Sequence, residues 1–329
     1  MIKVKYLFAR IREMNFGKMF KIIDEISKKN NKNKLIILFD IIWCGLYYLA
    51  GYMDYYIFEM YDLNFKQRKT IMTRGINNKY IKKLNNPNFW YIFDLKDEFN
   101  RRYRKYLKRD WLFLEKEADF YQFIKNKEYI IAKPRNGTCG HGIEKIKIAD
   151  YDNLFSYLVE KNLTVIEELV NQHDLINKLH PYSVNTLRMI TIFDGDKAKL
   201  AAVYMRIGNG NHVDNFNSGG MVVPVDIKSG EILYPAYDKA KNLYERHPET
   251  GHVIKGFQVP LFQEAVKMVE EVAKIIPEVG IVGWDVAITN EGPLLIEANN
   301  FPGHDIYQLP PHRTNGIGVL PNFEKILKV

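Results

Sequence analysis

The chain has 329 residues, 47% hydrophobic and 26% charged, with 47 Lys and Arg against 39 Asp and Glu for a net charge of +8. These values are ordinary for a globular protein of two domains or one large multi-lobed one. The positive balance favours anionic partners such as nucleotides, phosphosugars or a membrane surface, but the basic residues are scattered and no zinc-finger spacing or RNA-binding aromatic motif is present, so nucleic acid is not an expected partner. Two distant cysteines, Cys44 and Cys139, give no disulfide framework and point to a reducing cytosol.

Residues 1–11 lack the apolar core and small-residue cleavage site of a signal peptide. Phe16, Met19, Phe20, Ile23 and Ile26 recur at helical spacing before a Lys/Asn break at 28–34, and a second, aromatic-rich helix is expected over roughly 35–60. Its longest uncharged run, 41–53 between Asp40 and Asp54, falls short of the about 20 residues a membrane span needs. A buried helix is the first reading. A helix lying on an anionic membrane is the second, because Lys28, Lys29, Lys32 and Lys34 precede it and Lys66, Arg68, Lys69 and Arg74 follow. Residues 68–74 lead into a further short helix, and Asn85-Asn86-Pro87-Asn88 is a turn and lobe boundary. Residues 89–128 read as helical, with a basic run at Arg101, Arg102, Arg104, Lys105, Lys108 and Arg109. From Tyr129 strands alternate with helices: strands over 129–133, 142–148, 164–170, 187–193, 199–207 and 221–227, and helices over 152–161, capped by Asp150, and 260–276.

The segment 283–300 reads as a hairpin turning at Asn290-Glu291-Gly292. Centred on Glu291, it pairs Trp284 with Ala298, Val286 with Ile296 and Ile288 with Leu294 on an apolar face. Asp285 and Glu297 are then opposed on the other face, with Asn299 two residues along. Opposed side chains sit about 4.5–5.5 Å apart at Cβ, and two carboxylates that close repel unless one is protonated or a cation lies between them. Oxygen-only ligands suit a hard cation such as Mg²⁺.

Three further stretches carry chemistry. Lys133 ends an apolar strand beside a loop with glycines at 137, 140 and 142 and Thr138. The loop opens into an alternating strand rather than a helix, so it is neither a Rossmann nor a P-loop motif; its N–H groups suit a phosphate-binding hairpin tip. Cys139 and His141 on that tip make a poor nucleophile–base pair. The strand 164–170 ends in Glu167 and Glu168; Glu167 with the main chain of Glu168 and Val170 could meet an adenine edge, and Asp174 a ribose hydroxyl. Arg188 and Arg206 sit inside strands, where a guanidinium suits bidentate phosphate contact.

Together these pieces resemble the ATP-grasp superfamily over roughly 93–308, and most closely the sugar-transfer associated ATP-grasp family. The segments that carry the closer resemblance are Lys133-Pro134 with its Gly-Thr-Cys-Gly-His-Gly loop, Ser183-Val184-Asn185-Thr186-Leu187-Arg188, and Glu297-Ala298-Asn299-Asn300-Phe301-Pro302-Gly303-His304-Asp305. The resemblance implies an α+β fold in which two lobes close on ATP, here preceded by a mainly helical N-terminal region. The implied divisions are 1–88, a lobe at 89–170 with the glycine-rich loop, and a lobe at 171–329 with the metal site.

It also implies residue roles. Lys133 and Lys96 would hold the ATP phosphates with Gly137, Thr138, Gly140 and Gly142, while Glu167, Glu168, Val170 and Asp174 would meet the nucleoside. Arg206 and Arg188 would steady the transferring phosphate. Asp285, Glu297 and Asn299 would bind two Mg²⁺ ions, for which Mn²⁺ could substitute. Asn217 and His304 would face the acceptor. The implied activity is an ATP-dependent carboxylate–amine ligase working through an acyl-phosphate on a bacterial capsule or surface polysaccharide or its sugar precursor. The alternatives are a phosphotransferase acting on a hydroxyl, or an ATP-binding non-catalytic partner in glycan assembly. The expected partners are a small carboxylate and an amine or sugar. The expected location is the cytoplasm, with peripheral contact at the inner face of the membrane or with glycan-assembly enzymes. Superfamily enzymes usually begin with a compact α/β domain that helps bind the acceptor, whereas the first 75 residues here are expected to be helical and aromatic-rich.

Overall fold

The computed structural model describes residues 14–137, 142–210, 216 and 219–328. The chain divides into two compact units, 1–83 with 303–329, and 84–302.

The first unit is helical. Helix α1 (Phe16–Asn30) starts where Asn15 Oδ1 accepts from Lys18 N at 2.9 Å, and it stops at Asn31 in the left-handed region. Helix α2 (Lys34–Tyr48) is capped by Asn33 and buries Ile37, Ile41, Cys44 and Tyr48 against Met19, Ile22, Ile23 and Ile26 of α1. The single helix expected over 35–60 is broken after Tyr48. Leu49 turns left-handed, and Gly51 begins the short helix Tyr52–Ile57, where Asp54 Oδ2 accepts from Gly51 N at 3.1 Å. Asp54 so placed rewards a new helix start more than continuation through Ala50-Gly51 would.

The C-terminal segment belongs to this unit, whereas the expected boundaries carry it with the last lobe. Gln308 explains the difference: its Oε1 accepts from Met72 N at 3.0 Å and its Nε2 donates to Met72 O at 2.7 Å, pairing an extended segment as a strand would.

The second unit holds two antiparallel sheets. The smaller has the order β1-β4-β2-β3, from β1 (Trp111–Phe113), β2 (Tyr129–Lys133), β3 (Glu144–Lys147) and β4 (Val165–Glu167). Phe120 and Ile124 of the helix Glu117–Ile124 and Leu154 and Leu158 of the helix Leu154–Glu160 pack on Ile130, Ala132, Ile146 and Ile166. The cap of the latter helix is Asn153, which accepts from Ser156 N at 2.9 Å, and not Asp150, which lies in a 3₁₀ turn. Strand β1 lies inside the stretch expected to be helical; three half-buried residues carry no periodicity to reveal it.

The larger sheet runs β11-β10-β5-β6-β7-β8-β9. Its long strands are β11 (Gly292–Asn299) at one edge, then β10 (Ile281–Thr289), β5 (Leu187–Phe193) and β6 (Ala198–Ile207); β7 (Met221–Pro224), β8 (Ala236–Tyr237) and β9 (Leu243–Tyr244) extend the sheet to the other edge. One face is covered by the amphipathic helix Phe262–Val272 and by Phe93 and Tyr103, whose rings meet fully buried Trp284 edge-on. The indole N–H of Trp284 donates to Thr191 Oγ1 at 2.8 Å, so the largest buried side chain leaves no polar atom unpaired.

Candidate active site

The late hairpin places its two acids as the sequence suggests: Asp285 pairs with Glu297, Trp284 with Ala298 and Gly283 with Asn299. Beyond Asp285 the register slips by one. Val286 faces Leu295 rather than Ile296, and Ile288 faces Pro293 rather than Leu294. The extra residue makes a bulge, and the turn tightens to Asn290-Glu291 with Gly292 at φ 120°. Bulges re-aim side chains at the point where they occur, and this one adjoins the acidic pair.

Asp285 also pairs with Arg188 on β5, and Arg188 with Tyr204 on β6, so Glu297, Asp285, Arg188 and Tyr204 form one transverse row on one face of the sheet. The guanidinium of Arg188 grips both oxygens of Asp285, from Nε and from Nη2 at 2.8 Å, and Arg206 Nη1 reaches Asp285 Oδ2 at 3.2 Å. Burial works against ionisation of Asp285, but Arg188 and then Arg206 outweigh it and hold the carboxyl below its usual range. Glu297 has the opposite fate: burial and the neighbouring Asp285 charge raise its pKa. The two acids differ because only Asp285 is held by the arginines. Asn299 Oδ1 accepts from Phe301 N at 2.8 Å. An acid driven toward protonation beside an ionised one is what an oxygen-ligated dication would relieve, so the donor set fits a hard metal.

The smaller sheet contributes cations. Lys133, the last residue of β2, is buried and donates to Glu167 Oε2 at 2.6 Å. Glu167 also accepts from Arg109 Nε at 3.1 Å and from Asn100 Nδ2 at 3.0 Å. Burial opposes its charge, yet Arg109, Lys133 and Asn100 more than offset burial and the pKa falls to about 2. Glu167 is therefore a buried counter-ion. Glu168 points elsewhere: its carboxylate pairs with Lys127 and accepts from Asp110 N at 2.9 Å.

Lys96 donates to the carbonyl of Gly137 at 3.0 Å, at the base of the glycine loop. Burial lowers its pKa, the field of Glu297 opposes that, and Lys133 adds to it. Lys96, Lys133 and Glu297 thus share one electrostatic neighbourhood. Gly142 has φ 71°, a conformation L side chains rarely adopt. Val170 is half-buried just beyond β4, and Asp174 is exposed at the start of the helix Asp174–Leu179, its N–H on Asn290 Oδ1 at 3.3 Å. Thr138, Gly140 and Asn217, with Cys139 and His141, lie outside the described residues. His304 is in the helical unit, where Nε2 meets Asp54 Oδ1 at 2.9 Å.

Two features escape the sequence reading. Arg109, taken there as one of a basic run, ties the two sheets together: besides Glu167 it donates to the carbonyls of Leu295 at 2.5 Å and Ile296 at 3.2 Å, at the bulge of β11. The second is a buried polar knot around the Ser183–Arg188 segment. Asn185 Nδ2 donates to Gln172 Oε1 at 3.0 Å and to His180 O at 2.8 Å. His180 Nδ1 lies 3.1 Å from Ser183 Oγ, and His247 Nε2 lies 2.8 Å from Gly208 O, with the two rings 5.2 Å apart. His180, His247 and Glu249 cluster closely enough to suggest a metal. However, His247 Nδ1 already accepts from the N–H groups of Glu249 and Thr250, at 3.3 and 3.4 Å, so the knot reads as structural.

A sequence model of the family described as sugar-transfer associated ATP-grasp matches residues 75–327. No curated protein matches the chain. Among solved structures the chain is similar to the ATP-grasp ligase PsnB complexed with minimal precursor, Mg and ADP, at 12% identity over 80% of this chain and 68% of that one, with a TM-score of 0.45. It is similar to an L-amino acid ligase from Bacillus licheniformis at 11% identity over 72% of this chain and 48% of that one, with a TM-score of 0.43. It is similar to a D-alanine–D-alanine ligase from Bacillus anthracis at 15% identity over 72% and 66% of the respective chains, with a TM-score of 0.41.

Proposed function

The chain belongs to the sugar-transfer associated ATP-grasp family, and from that premise we propose that it is an ATP-dependent ligase joining a carboxylate to an amine on a surface polysaccharide or its sugar precursor. The observation that carries this reading is the opposition of Asp285 and Glu297 within the field of Lys96 and Lys133. Two opposed acids that a cation would relieve, beside buried Lys133 and half-buried Lys96, make a site for a metal–polyphosphate.

In this reading Lys133 and Lys96 bind the phosphates of ATP. Val170, the main chain of Glu168 and Asp174 meet the nucleoside, and Glu167 fixes Lys133 rather than touching adenine. Asp285, Glu297 and Asn299 would hold Mg²⁺, two ions by this reading, with Mn²⁺ as a substitute, and the metal would supply charge neutralisation on the phosphate oxygens. A substrate carboxylate oxygen attacks the γ-phosphorus, the β,γ-bridging P–O bond breaks, and ADP leaves. Arg206 and Arg188, aligned by Asp285, face the charge that develops on the transferring group. The amine then attacks the acyl carbon, the C–O bond to phosphate breaks, and the amine loses a proton as the amide forms. No protein nucleophile is used. Dependence on ATP places the reaction in the cytoplasm.

Purified protein with ATP-Mg and a panel of uronic acids, amino acids and amino sugars tests the reading. ADP release that requires both an acid and an amine, with an amide product by mass spectrometry, supports it. Phosphate retained on a hydroxyl acceptor would instead make the protein a phosphotransferase, and an unchanged cellular phenotype with Asp285→Ala and Glu297→Ala together would make it a non-catalytic partner.

A further inference from the structure

Helix α2 is apolar on both sides. Its inner face buries Ile37, Ile41, Cys44 and Tyr48, as above. Its outer face carries Leu35, Ile36, Phe39, Ile42, Trp43 and Leu46, all exposed, with Phe39 at 68% and Trp43 at 52%. At 100° per residue these six span roughly 120° of the helix, opposite the buried set, and no charged residue interrupts them. The only charge on the helix beyond its first residue is Asp40, which turns inward to Arg68, at 2.6 Å, and to Tyr55 OH, at 2.7 Å. The stripe continues through Tyr47, stacked on Trp43 at 5.7 Å, to Phe65, whose ring carries Lys69 Nζ 4.5 Å from its centroid. The exposed side chains of α2 with Tyr47 and Phe65 make a contiguous apolar surface of the kind that marks an interaction site.

Charge says what covers it. Residues 1–83 with 303–329 hold 20 Lys and Arg against 9 Asp and Glu, a net +11, while residues 84–302 hold 27 against 30, a net −3. The entire positive excess of the protein therefore sits on the unit that bears the stripe. Lys69 stands over Phe65 at the end of the stripe, and Lys66, next to Phe65 in the chain, and Lys28 and Lys29 at the end of α1 are exposed on the same unit, Lys29 with Glu59 at 3.2 Å. A second copy pressed against this face would bring two such units together and be repelled. A surface that is apolar at depth and negative at its boundary attracts both parts. At 15 residues α2 is too short to span a bilayer, and among the described residues no helix is long and apolar enough to cross one.

We propose that α2 lies in the plane of an anionic phospholipid bilayer, with Phe39 and Trp43 in the acyl boundary and the flanking lysines on the headgroup phosphates. The face thus docks the enzyme where lipid-borne acceptors would be presented. This goes beyond the ligase reading and is tested without nucleotide, so either can fail alone.

The test is co-sedimentation of the full chain with vesicles of phosphatidylcholine alone or with phosphatidylglycerol. Binding is expected only to the anionic vesicles and should weaken with salt. Phe39→Ser with Trp43→Ser should abolish it while the protein still unfolds cooperatively near the wild-type temperature, because neither side chain belongs to the buried core. Lys66→Glu with Lys69→Glu should weaken it by more than about tenfold. Wild-type protein that stays in the supernatant overturns the proposal. So does a dimer in solution that the serine variant turns to monomer, which would make the stripe an interface between copies. Binding seen only after removal of residues 1–13 overturns it as well, because the stripe would then be covered by the chain's own start.

Discussion

Lys133 Nζ donates to Glu167 Oε2 at 2.6 Å, and both side chains are buried. The pair is asymmetric, because Glu167 also answers Arg109 while Lys133 reaches no other carboxylate oxygen among the ion pairs described. Glu167→Ala would strand two buried cations and should cost about 3–5 kcal/mol. Lys133→Ala leaves Glu167 with Arg109 and should cost less, about 1–3 kcal/mol. Urea unfolding of the two variants checks the order. If Lys133 also binds phosphate, Lys133→Ala should lose about ten- to a hundredfold in ADP-Mg affinity by calorimetry.

Arg109 should not be replaceable by lysine. Its fork serves Glu167 and the carbonyls of Leu295 and Ile296 at once, from three nitrogens on one plane. A lysine keeps the charge on a single nitrogen and cannot reach all three acceptors. Arg109→Lys should destabilise by about 1–3 kcal/mol. Amide exchange should rise at the β11 bulge, which hydrogen-exchange mass spectrometry reads directly.

The acidic pair is legible in the sequence because strand alternation puts Asp285 and Glu297 on one face, and the register centred on Glu291 holds for them because the extra residue of the bulge offsets the tighter turn. The pairs on the turn side are not, since a one-residue bulge leaves the apolar pattern of Val286, Ile288, Leu294 and Leu295 nearly unchanged. Lys133 can be singled out because a charge ends an apolar strand. Arg109, which shares the partner Glu167, cannot, because a basic run in a stretch that reads as helical looks solvated until a distant glutamate and two carbonyls are brought to it. The same limit hides the outward side of α2: apolar residues all round a helix say that both faces are covered, but only the packed structure says which face the protein covers itself.

His180 makes stability depend on pH near neutrality. Burial, and then the tilted ring of His247, lower its pKa from the ordinary 6.5, with Glu249 opposing. The unfolded chain therefore binds a proton that the folded chain resists. Stability should fall as pH drops through about 6.5 and go on falling until the folded-state pKa is passed. Melting temperatures from pH 8 to 5 should show a loss in the wild type that His180→Asn reduces. An identical slope in the two proteins would place the pH dependence elsewhere.

Glu297→Gln should move stability in opposite directions with and without ligand. In the unliganded protein the glutamate is pressed toward protonation by burial and by Asp285, so a neutral side chain of the same shape removes that strain. The variant should melt at the same temperature as the wild type or about 2–4 °C higher. Saturating ADP-Mg, at a hundredfold over its Kd, should stabilise the wild type by about 2.7 kcal/mol. The glutamine cannot bring a charge to the metal, so most of that gain should vanish. Differential scanning fluorimetry of both proteins, with ADP in Mg²⁺ and ADP in EDTA, separates the two effects. A variant that melts lower than wild type in EDTA would mean that Glu297 serves the fold rather than a cation, and the metal assignment would go with it.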